Sequence, residues 1–276
     1  MPALSLAMPM KQYLGIDVGT SGCRACVIDD QADILAEAAV ELPAPLSRDG
    51  GSEQDADLWW QALCRLLDEL SRTTPLVGVA AISIDGTSST LLCCMADGTP
   101  LAPALMYNDA RSTVAALRIA GVAPATSGAH GASSSLAKLL FLRTGGLTGR
   151  AHHALHQADW LLGRLSGHYG VTDENNALKL GYDPVERCWP DWLDALGLDR
   201  RLLPDVVPPG QSIGSLNDKW CRRWGFGDAT RIVSGTTDST AAFLATGATP
   251  GEAVTSLGST LVLKVLTDRP VFEPRY

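Results

Sequence analysis

Four short stretches carry residue types that can do chemistry on an anion or a polyol. In YLGIDVGTSGCRACVIDD, Tyr13 to Asp30, an apolar run ends on Asp17, and Gly19, Thr20, Ser21 and Gly22 follow before apolar residues resume. Val77–Ile84 is a second apolar run that ends on an acid, Asp85, with Gly86, Thr87 and Ser88 after it. RIVSGTTDSTAAF places Gly235, Thr236 and Thr237 ahead of Asp238, and VTSLGSTLVLKV repeats the plan of the first stretch with Gly258, Ser259 and Thr260 between two apolar runs. Two hairpins with glycines and hydroxyls at their tips can present N–H and O–H donors to an anion from two sides, a phosphate clamp. Taken alone, the first stretch reads equally well as a hairpin with a Gly-rich turn.

The elements that would position these residues follow from hydrophobic periodicity. Residues 13–17, 23–29 and 33–41 read as three strands of an antiparallel meander, with Asp29-Asp30-Gln31 as a turn. Trp59, Ala62, Leu63, Leu66, Leu67 and Leu70 form a helical stripe, with Asp55 and Asp57 at the end where the helix dipole favours acids. The β-branched run at 77–84 predicts a central strand buried on both faces. A further strand is expected at 90–95 and helices at 112–120, 134–143, 157–166 and 216–225. Near the end, Ile232-Val233 reads as a strand and Ser239–Thr246 as a small-residue helix with Asp238 at or near its cap. The fold class is therefore α/β with a mixed sheet.

Bulk properties bound the function. The 276 residues are 46% hydrophobic and 19% charged, an ordinary folded composition. A net charge of −8 disfavours nucleic acid and acidic membranes and favours small-molecule partners. No apolar run reaches the roughly 18 to 20 residues of a membrane span, and MPALSLAMPMK is poorly built for a signal peptide, so a soluble cytoplasmic protein is expected. Cys23 and Cys26 have C-x-x-C spacing, but inside a strand they point to opposite faces and read as core thiols. His152, His153 and His156 lack the partners of a metal site, and the seven Trp residues read as packing anchors.

The stretches D-V-G-T-S, G-T-T-D-S-T-A-A and S-L-G-S-T resemble the phosphate and catalytic segments of the FGGY carbohydrate kinases, which share the actin-like, ribonuclease-H-like ATPase fold. Glu53-Gln54-Asp55 before Trp59-Trp60, Tyr107-Asn108-Asp109-Ala110-Arg111 and Asp159-Trp160-Leu161 agree with that resemblance. Within the family, SIDGTSSTLL at 83–92, MYNDAR at 106–111 and NNALKLGYD at 175–183 are most similar to D-ribulose kinases of the xylulose kinase-like group. The resemblance covers a first domain, 1–228, and the start of a second actin-like domain, 229–276, because the chain stops at Tyr276 just after the second hairpin. It leaves open a homo-oligomer or a C-terminal half supplied elsewhere.

The resemblance implies ATP and Mg²⁺ as cofactors and a ketopentose as substrate, with D-ribulose the leading expectation. Asp17 would hold Mg²⁺ directly or through water; its alternative is a turn-capping Asp. Gly19, Thr20 and Ser21 on one side and Gly258, Ser259 and Thr260 on the other would contact the phosphates. Asp238 would take the proton of the attacking hydroxyl; otherwise it is an N-cap. Asp85, Gly86, Thr87 and Lys179 would bind sugar, although Asp85 can equally be a strand-end turn residue and Lys179 a solvated charge. Asp109 and Arg111 either pair structurally or reach the sugar. The alternative functions are a xylulose, glycerol or other polyol kinase, or a non-catalytic sugar- or partner-binding fragment without an adenosine pocket.

Overall fold

A computed structural model describes residues 11–257 and 261–271. In chain order its strands and helices begin with β1 (Gln12–Val18), β2 (Gly22–Asp29), β3 (Ile34–Glu41), β4 (Leu46–Arg48), β5 (Gly51–Gln54) and α1 (Ala56–Thr73). Next come β6 (Val79–Gly86), β7 (Leu91–Cys94), β8 (Ala104–Leu105), α2 (Thr113–Ala120), α3 (Ser135–Thr144), β9 (His153–His156) and α4 (Gln157–Ser166). The last part holds β10 (Val171–Asp173), α5 (Glu174–Ala177), β11 (Asp205–Val207), β12 (Ser212–Ser215), α6 (Asp218–Trp224), β13 (Arg231–Val233), β14 (Thr236–Thr237), α7 (Asp238–Leu244), β15 (Ala253–Leu257) and β16 (Leu261–Val265).

Among the described residues a seven-stranded sheet runs β12-β13-β6-β1-β2-β3, with β14 also on β6. The meander β1-β2-β3 is antiparallel, whereas β6 pairs in parallel with β1, β13 and β14, so the sheet is mixed as the sequence predicts. The sheet continues through β13 and β14 on the far side of residue 228. The 90–95 strand forms as β7, but in a separate five-stranded sheet, β4-β5-β8-β7-β9. Strands β5 and β8 of that sheet are only four and two residues long, too short to show a period in sequence.

Alternation explains the central strands: Leu14, Ile16 and Val18 of β1 and Ile82 and Ile84 of β6 are all buried. Helix α1 starts where Asp55 accepts a hydrogen bond from the Asp57 amide, a side-chain cap. Its stripe of Trp59, Leu63, Leu66, Leu67 and Leu70 is fully buried and packs across β2 and β3. Burying each of these leucines is worth about 2 kcal/mol. A second apolar core, with Leu91, Ile119, Leu136, Leu139 and Leu193, lies where α2 and α3 pack over β7. Ser135, His156 and Asp159 are hydrogen-bonded in series at 3.0 and 3.1 Å and buried, which ties α3 to the start of α4.

Candidate active site

Three strand ends deliver three acids to one place. In the parallel register of β1 and β6, Asp17 is paired with Asp85, and Val18 with Gly86. Strand β14 lies on the other side of β6, with Thr236 beside Asp85 and Thr237 beside Gly86, so the next residue, Asp238, emerges at the same edge. Close approach of this segment to β6 requires glycine at 235, because a Cβ there would overlap the Ile84 carbonyl. Asp238 is the first residue of α7, and the cap itself is Thr237, whose hydroxyl accepts from the Thr240 amide at 3.4 Å.

Asp17, Gly19, Asp85, Asp238, Ser239 and Lys264 line one open cleft of about 840 Å³. Arg24, opposite Asp17 on β2, reaches its carboxylate at 3.4 Å. Burial, reinforced by the charges of Asp17 and Asp238, pushes the Asp85 carboxyl up to about 7. Burial also raises Asp238, with a contribution from Asp17, while the Ser239 and Ser88 amides and the Lys264 ammonium pull it back down. The Lys264 ammonium donates to the Ser239 carbonyl and, at 2.6 Å, to its hydroxyl. Burial lowers the Lys264 pKa against the opposing charge of Asp238.

The remaining expected residues divide. Gly19 closes its turn by donating to the Gly22 carbonyl at 2.9 Å. The Thr20 and Ser21 hydroxyls make no hydrogen bond among the described residues, so neither is a self-bonding turn residue there. Gly258, Ser259 and Thr260 lie outside the described residues, between Leu257 and Leu261, which are paired across β15 and β16. The Thr87 hydroxyl is buried and engaged with Gln157 Oε1 at 2.9 Å and Thr90 Oγ1 at 2.5 Å, off the cleft wall. Lys179 is half-buried in the turn Leu178–Leu180, also off that wall. Arg111 grips the fully buried Asp109 at 2.6 Å and Glu53 at 2.6 Å, a structural pairing that braces the turn after β8.

Sequence reasoning missed Lys264, Arg24 and Gln157. Lys264 stands alone in the apolar run LVLKV, and a cation inside a strand that alternates with leucines was the available signal. Among the described residues no group of three or more His, Cys, Asp or Glu side chains is arranged as a metal cage. Mg²⁺ is ordinarily held by one or two carboxylates together with waters and substrate phosphates, and the Asp17 carboxylate on the cleft wall is a hard oxygen donor of that kind. No helix of the described residues is long and apolar enough to cross a membrane.

Comparison with known proteins places this geometry. The profile of the FGGY family of carbohydrate kinases, N-terminal domain, matches residues 12–245. A xylulose kinase from Streptomyces rubiginosus is 31% identical over 272 residues, 95% of this chain and 55% of its own length. A glycerol kinase from Gloeobacter violaceus is 27% identical over 94% of this chain and 53% of its own length. The crystal structure of a xyloylose kinase from Brucella ovis superimposes with a TM-score of 0.85 at 26% identity, covering 91% of this chain and 54% of that one. The chain thus spans about half the length of the relatives it matches, and its fold is that of the sugar kinases. A mixed sheet that gathers Asp17, Asp85 and Asp238 at one edge, and a family profile matched over most of the chain, show that this chain belongs to the FGGY family of carbohydrate kinases.

Proposed function

We propose that the whole protein transfers the γ-phosphate of ATP to a hydroxyl of a ketopentose, and that D-ribulose is the preferred acceptor. The observation that carries the reading is the convergence of Asp17, Asp85 and Asp238 on one cleft. A carboxyl group can hydrogen-bond two hydroxyls at once, so Asp85 at the cleft edge suits a polyol. Asp238 takes the proton of the attacking hydroxyl, and its raised pKa makes it a better base near neutrality than an ordinary Asp. Lys264 lines the cleft beside Asp238, and the hydroxyls of Thr20 and Ser21 would be donors to the transferred group, where charge must be stabilised. Asp17 would hold Mg²⁺, directly or through water, and the ion would neutralise phosphate charge there.

The stretches around Asp85 and Lys179 favour D-ribulose. The names of relatives support D-xylulose as a second reading, and the two sugars differ only in configuration at C3. ADP release with D-ribulose, D-xylulose and glycerol, together with calorimetric binding of each sugar, is the test. Turnover with D-ribulose above the other two is expected. A glycerol preference would overturn the ketopentose reading, and a D-xylulose preference would overturn the choice of epimer.

A further inference from the structure

The turn Thr87–Thr90 connects β6 to β7 immediately behind Asp85. It is strained and buried together: Ser89 has a φ of 68°, which a residue with a side chain rarely adopts, and Thr87, Ser89 and Thr90 are all at most 6% exposed. Two buried polar side chains from separate helices hold it. Lys138 of α3 is fully buried, and its Nζ donates to the Ser89 carbonyl at 2.8 Å. Gln157, the first residue of α4, is fully buried, and its Oε1 accepts from both the Thr87 amide at 3.0 Å and the Thr87 hydroxyl at 2.9 Å.

A core selected for stability alone would not place these groups here. The Lys138 ammonium makes a single hydrogen bond among the described residues, and burial brings its pKa down to about 7 although Asp109 opposes this. The Gln157 amide nitrogen has no partner among the described residues. Burying a lysine and half an amide costs stability, and backbone strain of this kind persists where surrounding groups impose it. The turn follows directly on Asp85 and Gly86 at the end of β6, the edge where Thr236 and Thr237 of β14 pair and from which Asp238 emerges.

We propose that Lys138 and Gln157 are positioning residues: from α3 and α4 they clamp the Thr87–Thr90 turn and so fix the end of β6, with Asp85 at the cleft edge. This rests on the reading of Asp85 as part of a sugar site. Neither residue touches substrate.

The test uses Lys138→Met, Gln157→Leu, the conservative Gln157→Glu, and Leu139→Val as a control that weakens α3 without touching the turn. Hydrogen exchange of the amides at 87–90 should accelerate about tenfold or more in Lys138→Met and Gln157→Leu, but not in Gln157→Glu or Leu139→Val. D-ribulose and D-xylulose affinity, measured by calorimetry, should fall in the same two variants and be kept in Gln157→Glu and Leu139→Val. Unchanged exchange in both overturns the clamp. Faster exchange with unchanged sugar affinity overturns the positioning role. If the unsubstituted protein binds neither ketopentose nor glycerol, the sugar reading fails, while exchange still decides the clamp.

Discussion

Asp17 and Asp85 are paired in register across β1 and β6, two acids at the ends of buried strands, with the Arg24 guanidinium reaching Asp17 at 3.4 Å. Asp85 holds its proton up to about 7, well above the ordinary value of 3.8. Between these values the folded chain binds more protons than the unfolded one. The stability contributed is therefore complete below the lower value and is lost as pH rises through the upper one. Asp85→Asn should raise the urea midpoint at about pH 8 and leave it almost unchanged at about pH 4, and the difference between the two profiles isolates this group from acids with lowered pKa. Parallel profiles for the two proteins would refute the shift.

Asp238→Asn should reduce sugar-dependent ADP release by about 10²- to 10⁴-fold, because the amide cannot take the hydroxyl proton. Cooperative unfolding should persist, since the helix cap is Thr237 and not Asp238. Sugar affinity measured by calorimetry should change far less than turnover.

Lys264→Met removes the cation that pulls Asp238 down. The Asp238 pKa should rise, and the acid limb of the turnover profile should move to higher pH. The same substitution should weaken nucleotide binding, and a profile that stays in place would show that Lys264 does not act on the base.

Gly235→Ala forces a Cβ against the Ile84 carbonyl. Overpacking of this kind costs about 1 to 3 kcal/mol, and here it also pushes β14 off β6 and carries Asp238 away from Asp85. Loss of turnover should exceed what the fall in the denaturation midpoint accounts for, which paired urea and ADP-release measurements would show.

Much of the architecture could be read from local pattern. The meander, α1 and the helices α2, α3, α4 and α6 all follow from residues close in sequence, as periodicity requires. The acids at strand ends were visible as Asp17, Asp85 and Asp238, but their juxtaposition depends on register between distant strands, which no local period encodes. Lys138 and Gln157 sit in helices whose patterns look ordinary, because a buried polar residue is distinguished only by what packs around it. The strands β4, β5 and β8 are set by pairing partners rather than by their own residues.

The Ser83 hydroxyl donates to the Ser234 carbonyl at 3.3 Å across a sequence separation of 151 residues, beside the place where β14 joins β6. Closing so long a loop costs entropy before any pairing compensates, and parallel strands joined this way form slowly. The meander can assemble from adjacent residues, but Asp238 reaches the other two acids only when β13 and β14 dock on β6. During synthesis, a ribosome must therefore have released residues well past Asp238 before the nascent chain can hold a complete acid cluster, and refolding should recover helical signal ahead of ligand binding.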